Sequence, residues 1–115
     1  MNRLLITVAF TLCTLIMGTV KAQECEEPGD VALPDGASAT TEEMVAGQQA
    51  VKQYIADGEA FLSCMEQAEQ ANAEALTDEQ KKVNVERYNS VVDKMQLLAQ
   101  NFNEQIKAYK AAQAE

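Results

Sequence analysis

The sequence predicts an all-α protein: an antiparallel, coiled-coil-like two-helix hairpin, with an extended N-terminal arm tied to the first helix by a disulfide. Three observations carry this. Two long stretches without proline repeat apolar residues at alternating steps of three and four, the period of a helix packed on one side. A helix-start signature at Thr77 divides them. Both prolines, Pro28 and Pro34, fall in the segment before the first stretch, which also carries Cys25.

The chain opens with Arg3, then the apolar run "LLITVAFTLCTLIMGTV" ending on Val20, then Lys21 and Ala22. This is the pattern of a secretory leader, with cleavage expected between Ala22 and Gln23. The run is short for a membrane span and no stop-transfer segment follows it, so no stable membrane insertion is expected after cleavage. A leader retained as an anchor is the alternative. Domains are therefore assigned as leader 1–22, arm 23–40 and helical hairpin 41–115, with helices at about 41–75 and 78–113. The expected location is the periplasm of a Gram-negative bacterium, or the medium otherwise.

Residues 23–40 contain Pro28, Gly29, Pro34 and Gly36 and no helical period, so they are read as extended, with a turn at Pro34, Asp35 and Gly36. Cys13 leaves with the leader, and Cys25 and Cys64 remain as an even pair in an oxidising compartment. Reach permits the bond. Cys64 lies 23 residues into the first helix, roughly 35 Å along its axis. The 16 steps from Cys25 to the helix start at residue 41 span about 50 Å when extended. The arm can therefore fold back along the first helix and bond at Cys64.

The first helix is capped by Thr40 or Thr41, with Glu42 and Glu43 near the positive end of its dipole. Its stripe is read through Met44, Val51, Ile55, Gly58, Leu62 and Met65, widened by Tyr54 and Phe61. Gly47 and Gly58, on or beside the stripe, predict a notch for close backbone approach, with the arm as occupant. Thr77, Asp78, Glu79 and Gln80 form a capping box for the second helix. Its seam is read as Val85, Tyr88, Val92, Met95, Ala99, Phe102, Ile106 and Tyr109. Val91 and Leu98 broaden it and predict a second neighbour or a covering segment. Aromatic residues on the seams are assigned to core packing.

Function classes are narrowed by what is missing. The net charge of −9 becomes −11 once the leader removes Arg3 and Lys21, and such a surface repels nucleic acid and anionic lipid. The chain has no histidine, no tryptophan, no nucleophile elbow and no phosphate-cradling glycine loop. No catalytic residue, cofactor or metal ligand is assigned. Acidic residues crowd Cys25 (Glu24, Glu26, Glu27, Asp30) and the hairpin tip (Glu66, Glu69, Glu74, Asp78, Glu79) without calcium-loop spacing.

Two resemblances add to this. Tyr54, Phe61, Leu62 and Cys64, preceded by the Cys- and Pro-bearing arm, resemble a family of small exported bacterial proteins of unknown function with a Y-x(6)-[YF]-L-x-C-like motif. The resemblance covers residues 25–66 and implies the same architecture, without an activity. Leu76, Thr77 and Gln80 are similar to the L-T-x-x-Q motif of the Spy and CpxP periplasmic stress chaperones, which implies a client-holding role. The chain departs from that pattern in its single motif, its acidity and its cysteine pair.

The expected function is that of an exported, non-enzymatic helical protein acting through protein–protein contacts, with a protein partner or as a homo-oligomer such as a dimeric four-helix bundle. Alternatives are a Spy/CpxP-like chaperone or envelope-stress protein, and an acidic metal- or cation-binding protein.

Overall fold

A computed structural model describes residues 25–114. The leader, its cleavage position between Ala22 and Gln23, and Cys13 lie outside the described residues. Two helices follow the arm: α1, Thr41–Asn72, and α2, Asp78–Gln113, about 48 and 54 Å long at 1.5 Å per residue. They form an antiparallel hairpin, as the sequence predicts, and the described residues contain no strand.

Each helix starts on a threonine that closes a reciprocal cap. The Thr40 hydroxyl accepts from the Glu43 amide at 3.2 Å, while the Glu43 carboxylate accepts from the Thr40 amide at 2.7 Å. Thr77 and Gln80 do the same at 3.1 and 2.9 Å. The choice between Thr40 and Thr41 is thus settled, and Glu43 closes the cap as well as facing the dipole.

α1 stops at Asn72, three residues before the expected end. The Asn72 side chain donates to the Ala68 carbonyl at 2.8 Å, and its own carbonyl accepts from the amides of Ala75 and Leu76. This closes the last turn so that the chain can reverse before the Thr77 cap.

The arm runs antiparallel to α1 and parallel to α2, in the groove between them. Cys25 is bonded to Cys64, with their Cα atoms 5.6 Å apart. Further along, Val31 lies near Tyr54 and Leu98, and Pro34 sits over Gly47 against Phe102. Gly36 closes on α2, its amide donating to the Gln105 side-chain oxygen at 2.8 Å. The turn follows at Gly36, Ala37 and Ser38, where the Asp35 carbonyl accepts from the amides of Ser38 and Ala39. The Asp35 carboxylate accepts from Ala37, as an Asx turn does.

Two apolar clusters form the core. One gathers Cys25, Phe61, Met65 and Val91. The other gathers Met44, Val51 and Phe102, with Leu33 and Ala39 supplied by the arm. The buried line of α1 is Met44, Gly47, Val51, Tyr54, Gly58, Phe61 and Met65. Tyr54 and Phe61 are therefore central, and Ile55 and Leu62 form the half-buried flank. On α2 the fully buried residue is Val91, while Val85 of the expected seam is 52% exposed. The helix is rotated relative to a seam shared by two helices alone. Val91 and Leu98 face inward because the arm is their second neighbour.

Candidate interaction surface

The arm divides the hairpin into a covered and an open face. On the covered face Arg87 holds the start of the arm alongside the Cys25–Cys64 bond. Its Nε donates to the Glu27 carboxylate at 3.2 Å, its Nη2 donates to the Cys25 carbonyl at 3.3 Å, and its guanidinium lies 5.4 Å from the Phe61 ring centroid. Both partners of the ion pair are partly solvated, so the fork geometry and the ring stacking matter more than the charge. Arg87 lies off the α2 seam that the heptad pattern marks. The signal in the sequence is that it is the sole arginine after Arg3.

Gly47 and Gly58 are both sites of close approach, with different occupants. At Gly47 the neighbour is the arm, with Pro34 Cδ 2.8 Å from where a Cβ would stand. At Gly58 it is α2, with Met95 Sδ at 2.6 Å. Gly36 was read only as a turn residue. A Cβ there would fall on the carbonyl oxygen of Gln105 and lie 3.0 Å from the Tyr109 amide nitrogen.

The open face is built from stripes of seven-residue period, which keep one orientation along a helix packed at a shallow angle. On α2 the stripe is Val85, Val92, Ala99 and Ile106, and its outer neighbours are Asn89, Gln96 and Asn103. On α1 it is Gln48, Ile55, Leu62 and Glu69, bordered by Val45, Lys52, Glu59 and Glu66. Ile55, Leu62, Val92, Met95, Ala99 and Ile106 are all only half-buried. Val45, at 48%, and Val85, at 52%, stand exposed near opposite ends. In a chain with 18 acidic residues, the α2 half of this face carries no charge from Val85 to Ile106.

A shallow hollow lies at each end of the open face. The basal one, about 230 Å³, is lined by Thr41, Met44, Val45, Gln48, Phe102, Ile106 and Tyr109. Tyr109 and Thr41 brace it through hydroxyls 2.6 Å apart. The tip hollow, about 250 Å³, is lined by Met65, Glu66, Glu69, Asn84, Val85 and Tyr88. There the Tyr88 hydroxyl donates to the Glu66 carboxylate at 3.1 Å. That bond, and then the negative charge of Glu66 with some burial, raises the Tyr88 pKa above its ordinary value.

The seam residues named from sequence divide between core and open face. Tyr54, Phe61 and Phe102 are buried. Leu62, Tyr88, Met95 and Ile106 are half-buried and pack against the two clusters from the open side. Cys25 and Cys64 are joined as expected. Leu76 is half-buried beside the cap in which Thr77 and Gln80 are engaged, so this motif has a local structural role.

Among the described residues, no group of three or more His, Cys, Asp or Glu side chains is arranged to hold a metal ion. None of the described helices is long and apolar enough to cross a membrane. Compared with protein-family models, with curated proteins and with solved structures, the chain matches none.

Proposed function

We propose that the protein is an exported, non-enzymatic helical hairpin that works by protein–protein contact through its open face. The observation that carries this is the charge-free, half-exposed apolar stripe of Val85, Val92, Ala99 and Ile106 on an otherwise strongly acidic chain. Charge depletion with apolar enrichment is what distinguishes the centre of a protein interface from ordinary surface. The leader pattern and the Cys25–Cys64 bond support export to an oxidising compartment.

A photoreactive side chain at Val92 tests the contact. Irradiation after export gives a protein adduct, whereas the same group at Leu97, 56% exposed and near Val31 and Asp30 of the arm, gives none. Absence of any adduct at Val92 overturns the reading. Export is tested separately by N-terminal sequencing of the recovered protein, where Gln23 is the expected first residue. The L-T-x-x-Q resemblance carries no second reading, because Thr77 and Gln80 are engaged with each other in the α2 cap.

A further inference from the structure

We infer that the occupant of the open face is a second copy of this chain, packed antiparallel about a two-fold axis that crosses α1 beside Ile55. This rests on the reading of the open face as a contact surface and adds the partner and the register. A two-fold interface must be self-complementary, each feature meeting its counterpart on the same patch. Charge and shape both meet that condition at one register.

Lys52 is the lone lysine of α1. It shares the rim stripe with Glu59, one heptad on, at roughly 10 Å along the axis. An axis between residues 55 and 56 sets Lys52 of each copy opposite Glu59 of the other. The same axis carries position 45 onto position 66. The basal hollow around Val45 therefore lies over the tip hollow around Glu66 and Tyr88. Each hollow is bordered by an exposed valine, Val45 at the base and Val85 at the tip, so each valine is delivered to the other copy's hollow.

The parallel alternative lays each α1 over the other copy's α2, which sets Lys52 and Glu59 against the uncharged rim of Asn89, Gln96 and Asn103 and leaves both without an opposite charge. A patch about 30 Å long and 20 Å wide gives roughly 600 Å² per copy, enough for a specific interface of modest affinity.

Sedimentation equilibrium of the disulfide-bonded protein recovered after export tests this, with circular dichroism checking each variant's fold. The expected wild type is a dimer at about 100 micromolar, a concentration at which a weak dimer is populated. Val45→Asp and Val85→Asp leave the helical signal unchanged, since both side chains are exposed, and each weakens association at least about tenfold. Lys52→Glu and Glu59→Lys each weaken it about fivefold, because symmetry breaks two rim pairs at once. The double swap K52E/E59K restores it to within about twofold.

A monomer at the highest soluble concentration overturns the inference. So does a dimer indifferent to both valine variants, or a double swap that fails to rescue. A monomer that still forms the Val92 adduct with another protein ends this inference and leaves the contact reading standing. Monomer and no adduct end both.

Discussion

Gly36→Ala adds one methyl group and is expected to lift the arm from α2. No described glycine has a positive φ, so Gly36 is required for close approach and not for an unusual backbone. An alanine Cβ would lie on the Gln105 carbonyl oxygen, 2.8 Å from its carbon and 3.0 Å from the Tyr109 nitrogen. All three atoms belong to the α2 backbone, which cannot turn aside as a side chain can. The arm must lift.

Overpacking of this kind costs ~1–3 kcal/mol. The bond from the Gly36 amide to Gln105 is lost as well, at about 1 kcal/mol net. Against this stands a gain of about 0.4–1 kcal/mol from the less flexible unfolded chain. The balance is a loss of ~1–3 kcal/mol. Gly29→Ala is the internal control, because no atom lies within 4 Å of its Cβ position and only the unfolded-state gain remains. Urea unfolding of the oxidised protein reads both. With a slope near 1 kcal/mol per molar, Gly36→Ala lowers the midpoint by about 1–3 M, and Gly29→Ala leaves it unchanged or raises it slightly. A Gly36→Ala midpoint equal to or above that of Gly29→Ala would refute the docking of the arm on α2.

Three further outcomes follow from the same packing. Cys64→Ser removes a cross-link between residues 39 apart and lowers stability by about 4 kcal/mol in the chain-entropy model; in oxidised protein beginning at Gln23, denaturing alkylation adds no mass before reduction and two labels after it. Thr77→Ala removes one half of the α2 cap and lowers stability by about 1 kcal/mol, with faster amide exchange confined to the first turn of α2. Tyr88 titrates above the ordinary phenol value of about 10 because its neutral hydroxyl donates to the Glu66 carboxylate, and Glu66→Ala lowers it toward that value in an NMR titration. A raised phenol pKa means that the native state holds the proton more tightly than the unfolded state. Its contribution to stability is therefore full below pH 10 and lost as pH rises through the native value.

Much of this architecture is legible in the residues, for reasons that differ by element. The start of α2 follows from Thr77 and Gln80, whose reciprocal bonds are local and need no tertiary context. The Cys25–Cys64 pairing follows from counting and reach. The end of α1 does not, because Ala73, Glu74 and Ala75 are good helix formers and only the Asn72 side chain and the reversal into Thr77 stop the helix. The α2 seam is displaced because heptad reading supposes one helical neighbour, and an extended arm has no period to announce its position. Arg87 and Gly36 were legible as an isolated arginine and a turn glycine. What each does depends on backbone atoms more than 60 residues away in the chain, at Cys25 and Gln105.

The proposed dimer also depends on the arm. A bare antiparallel hairpin offers apolar flanks on both sides of its groove, and two open faces on one molecule permit head-to-tail stacking without limit. Here Cys25, Val31, Leu33 and Pro34 fill one side, and the chain of contacts from Cys64 and Arg87 down to Gln105 holds them there. One face remains, with an uncharged stripe at its centre and Lys52 and Glu59 on its rim. A single self-complementary face closes on a second copy and then stops. On this reasoning Gly36→Ala and Val45→Asp fail in opposite ways. Lifting the arm exposes the covered groove and drives assembly beyond the dimer, whereas a charge on the open face leaves a folded monomer. Sedimentation of the two variants side by side separates them, and a Gly36→Ala protein that stays strictly dimeric while its arm becomes protease-sensitive would show that the arm stabilises the fold without limiting assembly.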